Sequence, residues 1–168
     1  MRRDEDGFTL VELLMAIAVL GIIVSAIATA LIVTLRNLDA THDRMAESHD
    51  AQMASAFLVT DVQSATTITT TQPACPTTTA TVADFVWDDQ GTANRATYVL
   101  ETVGGEQRLR RSQTVGTTTS EVVVAHHLTT ECSPGPVVVS MPNSNRVLFT
   151  LTDASGYRFS LTGEKRVR

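Results

Sequence analysis

The chain has 168 residues, enough for one modest domain plus an extra element. It carries 13 Lys+Arg against 18 Asp+Glu, a net charge of −5. That balance argues against a general nucleic-acid binder, which shows a basic face. Apolar residues make up 43%, ordinary for a folded protein, but much of that fraction sits in one block near the N-terminus.

Residues 1–7 read Met-Arg-Arg-Asp-Glu-Asp-Gly. Residues 8–35 then contain a single charge, Glu12, and residues 13–33 are an uncharged run of 21. As a helix this run spans about 32 Å, close to a hydrocarbon core of roughly 30 Å. Ser25 and Thr29 lie inside it, where such hydroxyls bond back to the helix backbone. A cleaved signal peptide is one reading, because Ala28-Thr29-Ala30 has the small-residue form of a cleavage site and predicts a mature start at Leu31. Against it, the n-region Arg2-Arg3-Asp4-Glu5-Asp6 is net negative. A plain single-span anchor explains the length but not Glu12, a carboxylate at the mouth of a membrane segment.

A third reading covers more. Gly7-Phe8-Thr9-Leu10-Val11-Glu12-Leu13-Leu14-Met15-Ala16 resembles the cleavage and methylation motif of type IV pilins and type II secretion pseudopilins. The match runs over residues 7–33. The resemblance implies that a prepilin peptidase cuts after Gly7 and N-methylates Phe8. It further implies that the subunit is held in the inner (cytoplasmic) membrane, with its C-terminal domain extracytoplasmic. From there an assembly platform would hand it to other pilin or pseudopilin subunits through the N-terminal helix. The chain departs from the pattern in an acidic leader, and in Thr29, which stands where many major pilins have a helix-kinking proline. Glu12 among packed apolar helices needs a counter-charge, and the α-amine at a neighbour's Phe8 would supply it. Glu12 would then set helix register, as single buried polar residues do in coiled coils.

Beyond Val33, Leu38, Met45, Met53, Phe57, Leu58 and Val62 recur at helical spacing among charged residues. One helix is therefore expected from Phe8 to about Ala65, with residues 8–35 its transmembrane and assembly part and 36–65 its amphipathic continuation. Ala56-Phe-Leu-Val-Thr-Asp-Val-Gln-Ser-Ala65 resembles the helix end of the J-type minor pseudopilins. In residues 66–81, 9 of 16 are Thr, with Pro73 and Pro76, which reads as a Thr-rich loop over 66–80. Residues 81–168 read as a globular β domain. Strands are expected at 81–87, 95–103, 106–112, 120–128, 137–141, 146–152 and 157–162, separated by turn signals such as Asp88-Asp-Gln-Gly91 and Gly104-Gly105. The fold class is α+β: a long N-terminal helix packed on an antiparallel sheet, pilin-like.

Cys75 and Cys132 belong to no CxxC pair and sit in Pro-containing surroundings. In an exported chain they are expected to form one disulfide, the alternative being two unpaired buried thiols. No nucleophile elbow, P-loop, dinucleotide fingerprint or HExxH occurs. His42 and His49 stand about 10.5 Å apart along a helix, too far to share a metal directly. His126 and His127 are adjacent in an expected strand and would face opposite ways. Arg108, Arg110, Arg111 and the tail Lys165, Arg166, Arg168 read as solvated basic groups rather than a DNA-contact face. No cofactor, metal or catalytic residue is therefore expected, and the reading is a non-enzymatic minor pilin or pseudopilin. A tip adhesin or DNA-uptake receptor on the same anchor is the alternative, followed by a secreted enzyme behind a signal peptide.

Overall fold

A computed structural model describes residues 9–166 except Pro76 and Pro134, with the helical backbone alone for residues 38–44, 46 and 47. Gly7, Phe8 and the rest of the leader lie outside the described residues. The chain divides into two units, Met1–Met45 and Ala46–Arg168. Helix α1, Leu10–Ser64, is continuous through both and ends within one residue of the expected position. It stops where Thr66-Thr67-Ile68-Thr69 begins, a β-branched run that loses side-chain freedom in a helix.

Among the described residues of the first unit, α1 alone is regular structure, and every described side chain from Leu10 to Met45 is exposed. The hydroxyls of Ser25, Thr29 and Thr34 bond back to the carbonyls of Ile22, Ser25 and Ala30 at 2.8, 2.8 and 2.9 Å. Those polar groups are thus satisfied inside the helix itself, as an apolar surrounding requires.

The second unit holds the core. Among the described residues, eight antiparallel strands follow the helix: β1 Thr67–Thr70, β2 Thr79–Asp89, β3 Thr92–Val103, β4 Glu106–Val115, β5 Thr118–Leu128, β6 Val137–Asn143, β7 Arg146–Thr152 and β8 Arg158–Glu164. They form two sheets, β1-β2-β3-β4-β5 and β6-β7-β8, where the sequence reading had one. β5 and β6, consecutive in the chain, thus belong to different sheets. The sheets meet again at one corner, where Leu128 bridges Asp153 and Thr129 N donates to Thr152 O at 3.0 Å.

All seven expected strands exist, most of them longer than expected. Gly104 and Gly105, with φ of 64° and 90°, supply the two left-handed residues of a tight turn between β3 and β4. The expected loop 66–80 needs correction. Thr67–Thr70 is a strand paired to β2, because β-branched threonines fit a pleated edge as well as a loop. Of the described residues between β1 and β2, 71–75, 77 and 78 remain outside the strands.

Alternation in β3 buries Asn94, Ala96, Tyr98 and Leu100 and turns Arg95, Thr97, Val99 and Glu101 to the other face. The helix face of Ala54, Leu58 and Val62, with Ala65 just past its end, packs with Val82, Phe85, Leu109, Val124, Val147, Phe149 and Leu151 in a single cluster. Tyr98 lies at its centre, edge-on to Phe85 at 5.6 Å. The helix comes so close to β8 that a Cβ on Gly163 would stand 2.7 Å from Val62 Cγ2.

Candidate functional site

The sequence places its functional residues at the head of α1, and the structure shows how that head is built. Thr9 precedes the first helical residue. Its backbone N–H donates to Glu12 Oε2 at 3.1 Å, and Glu12 N–H donates back to Thr9 Oγ1 at 3.3 Å. The Thr9 hydroxyl also bonds Glu12 Oε2 at 3.1 Å. This is a reciprocal capping box, which satisfies two of the orphan N–H donors at a helix start. It also gives the single carboxylate of the apolar segment a partner within its own chain. Thr9 was missed in the sequence reading, although Thr-x-x-Glu ahead of an apolar run is the pattern that signals it.

Leu10–Asn37 is long and apolar enough to cross a membrane, by length and composition. Its large side chains, such as Leu10, Met15 and Ile22, are 75%, 66% and 70% exposed. In water such a surface is costly, so this helix calls for an apolar environment.

Four devices hold the second unit together. Cys75 and Cys132 are bridged, with Cα atoms 5.4 Å apart and no free cysteine remaining. Beside the bridge, the Gln72 side chain imitates a peptide group on β6: its Nε2 donates to Val137 O at 2.9 Å and its Oε1 accepts from Val139 N at 3.0 Å. The loop 71–78 thereby ties the β1–β2 connection to the other sheet.

Third, Asp61 near the helix end is 1% exposed and Arg111 on β4 is 5% exposed. Arg111 Nη2 donates to Asp61 Oδ1 at 2.6 Å and Nε to Oδ2 at 2.7 Å, a bidentate pair. Tyr98 OH donates to Asp61 Oδ2 at 2.7 Å, and the guanidinium lies 4.8 Å from the Phe57 ring centroid. Burial and the neighbouring Asp61 charge push the Tyr98 hydroxyl well above its ordinary pKa. Burial works against the Arg111 charge, but its bonds to Asp61 prevail and raise its pKa. The sequence reading took Arg111 as a solvated basic group; it is instead a buried ion-pair partner.

Fourth, Asp50 on α1 accepts from the His126 backbone N–H and contacts His126 Nδ1 at 3.1 Å. Irregular pairing of β4 with β5 falls at this point, and His127 takes a φ of 48°. His126 and His127 therefore do not face opposite ways as in a regular strand: their rings lie 6.4 Å apart, and His127 Nδ1 stands 3.3 Å from Glu106.

Arg108 and Arg110 are internally paired. Glu101 holds Arg108 at 2.8 Å and Arg110 at 3.1 Å, and Arg110 also holds Glu121. Burial opposes the Glu101 charge, but the hydrogen bonds from both arginines lower its pKa. Asp88 Oδ1 accepts from Gly91 N at 2.8 Å, the geometry of a turn. Among the described residues, no three His, Cys, Asp or Glu converge as metal ligands. The His42 side chain lies outside the described residues.

The model of the prokaryotic N-terminal methylation motif matches residues 2–28. No curated protein and no solved structure matches the chain.

Proposed function

We propose that this chain is a minor pilin or pseudopilin, a membrane-anchored structural subunit of a type IV pilus or type II secretion pseudopilus. The observation that carries the reading is a methylation motif at residues 2–28 set directly on an exposed apolar helix of 28 residues, Leu10–Asn37. Prepilin peptidase cuts after Gly7 and methylates the Phe8 amine. The apolar helix then stores the subunit in the inner membrane. The disulfide supports an extracytoplasmic domain, because such bonds persist in oxidising compartments. Assembly is association: apolar helix packing moves the subunit from lipid into the filament. Glu12 exchanges its bond to Thr9 for a neighbour's α-amine, which sets the axial register.

The intact mass and N-terminal sequence of protein from native membranes test this reading. A start at N-methylated Phe8 is expected. A retained Met1 leaves a plain anchor, and a start at Leu31 makes the chain a secreted protein; either result overturns the proposal.

A further inference from the structure

The segment between β1 and β2 is fastened to its own sheet at both ends. Thr71 N donates to Val82 O at 2.8 Å, Thr102 N donates to Thr78 O at 2.8 Å, and the Thr102 hydroxyl donates to Thr77 O at 3.2 Å. Among the described residues between these ends, the hydrogen bonds and covalent links to β6 and the stretch leading into it are the two bonds of Gln72, to Val137 O and Val139 N, and the Cys75–Cys132 bridge. β6 is an outer strand of its sheet, so these two backbone groups have no partner strand on that side. Gln72 supplies both missing partners from one side chain, three residues from Cys75. An edge with unpaired backbone groups is a template for strand addition, and a covering group is one of the devices that prevents it. Further along the strand, Pro142 has no N–H to offer.

The two bonds alone are a weak fastening. Gln72 is exposed, where a neutral hydrogen bond competes with water. Its net gain there is of the same order as the rotamer freedom lost in holding a glutamine still. The bridge shifts this balance, because it holds the loop beside β6 and so lowers the entropy cost of seating Gln72. The bridge is also within reach of a reductant: Cys132 is exposed and Cys75 is half-buried.

We infer that the Cys75–Cys132 bond is a redox latch on the β6 edge. Oxidised, it keeps Gln72 seated on Val137 and Val139; reduced, it releases the loop and uncovers that edge. A dithiol performs the release in two exchanges. Its first thiolate attacks the exposed Cys132 sulfur, the Cys75–Cys132 bond breaks, and Cys75 leaves as a thiolate that takes up a proton. The second thiolate of the reductant then attacks the reductant's own sulfur in the mixed disulfide. Cys132 leaves as a thiolate, and the reductant, having given up two electrons, becomes a disulfide. The sheets stay joined through Leu128–Asp153 and Thr129–Thr152, which do not involve the loop. The β6 edge is thus closed only in oxidising surroundings. The latch lies wholly within Ala46–Arg168 and does not depend on how residues 1–45 are processed.

Hydrogen–deuterium exchange of the full chain in detergent micelles tests the latch, read on fragments spanning residues 137–141 and 146–152. Reduction with dithiothreitol is expected to speed exchange in 137–141 several-fold, to the rate that Gln72→Ala shows with its bridge intact. Residues 146–152 on β7 should keep their rate, and reoxidation should restore the slow exchange in 137–141. Cys75→Ser with Cys132→Ser should match the reduced wild type. A bridge that dithiothreitol leaves intact, a 137–141 fragment that stays slow after reduction, or a Gln72→Ala chain that exchanges like the wild type overturns the inference. Equal acceleration of 146–152 also overturns it, because reduction would then loosen the sheet rather than open its edge.

Discussion

Glu12 illustrates how one carboxylate is tolerated at the head of an apolar helix. Its Oε2 accepts both the backbone N–H and the hydroxyl of Thr9. Under the proposed function, Glu12→Ala leaves membrane insertion and cleavage after Gly7 intact but blocks incorporation into filaments. Comparing the mass of the membrane form with the subunit content of sheared filaments checks this, and normal incorporation would remove Glu12 from the mechanism. Asp61 and Arg111 obey the same electrostatics in a dry setting. Arg111→Met leaves a buried carboxylate unpaired and is expected to cost about 3–5 kcal/mol. Asp61→Leu with Arg111→Met is expected to cost much less than the sum of the single changes, as a denaturation double-mutant cycle will show. Tyr98 adds a pH signature. Its raised pKa keeps the folded state protonated after the unfolded phenol ionises, so stability is full below about pH 10 and is lost as pH rises beyond it. Alkaline denaturation followed at the tyrosinate band checks this, and Tyr98→Phe should flatten the dependence.

Elements here meet through a few close approaches. The last turns of α1 seat on β8 because residue 163 has no side chain to hold them off. Gly163→Ala forces Val62 or the strand to move, an overpacking expected to cost about 1–3 kcal/mol. Val62→Ala in the same chain makes room and should recover part of that loss, which thermal unfolding of the three variants measures. The loop 71–78 works differently, through the Cys75–Cys132 bridge and the paired bonds of Gln72 to β6. Its 56 intervening residues make the bridge worth about 4 kcal/mol on a chain-entropy estimate.

On the scale of the whole molecule, each unit has its own requirement. Every described buried residue of the hydrophobic core lies between Ala54 and Leu151, within Ala46–Arg168, while the described side chains of residues 10–45 are exposed. A chain beginning at Ala46 is therefore expected to fold and stay soluble, with its disulfide formed and its near-UV spectrum intact. Failure of that fragment to fold would show that the core depends on the upstream helix. The full chain, by contrast, needs lipid or detergent for residues 10–37.

The sequence by itself determined the long helix, the strand-rich remainder and the motif around Gly7, Phe8 and Glu12. Those signals are local: an uncharged run, a period of two and a short pattern are complete within a few turns or strands. It also held the Thr9–Glu12 cap, since three residues suffice to write it. Only the tertiary structure decided that Arg111 is buried, that Asp50 anchors the irregular end of β5, that Gln72 stands in for a strand, and that the β domain splits into two sheets. These depend on contacts across 50, 76 and 65 residues or more. An arginine in an alternating strand looks the same whether its face meets water or a carboxylate from a distant helix. Burial, rather than residue type, turned that cation into half of a buried ion pair.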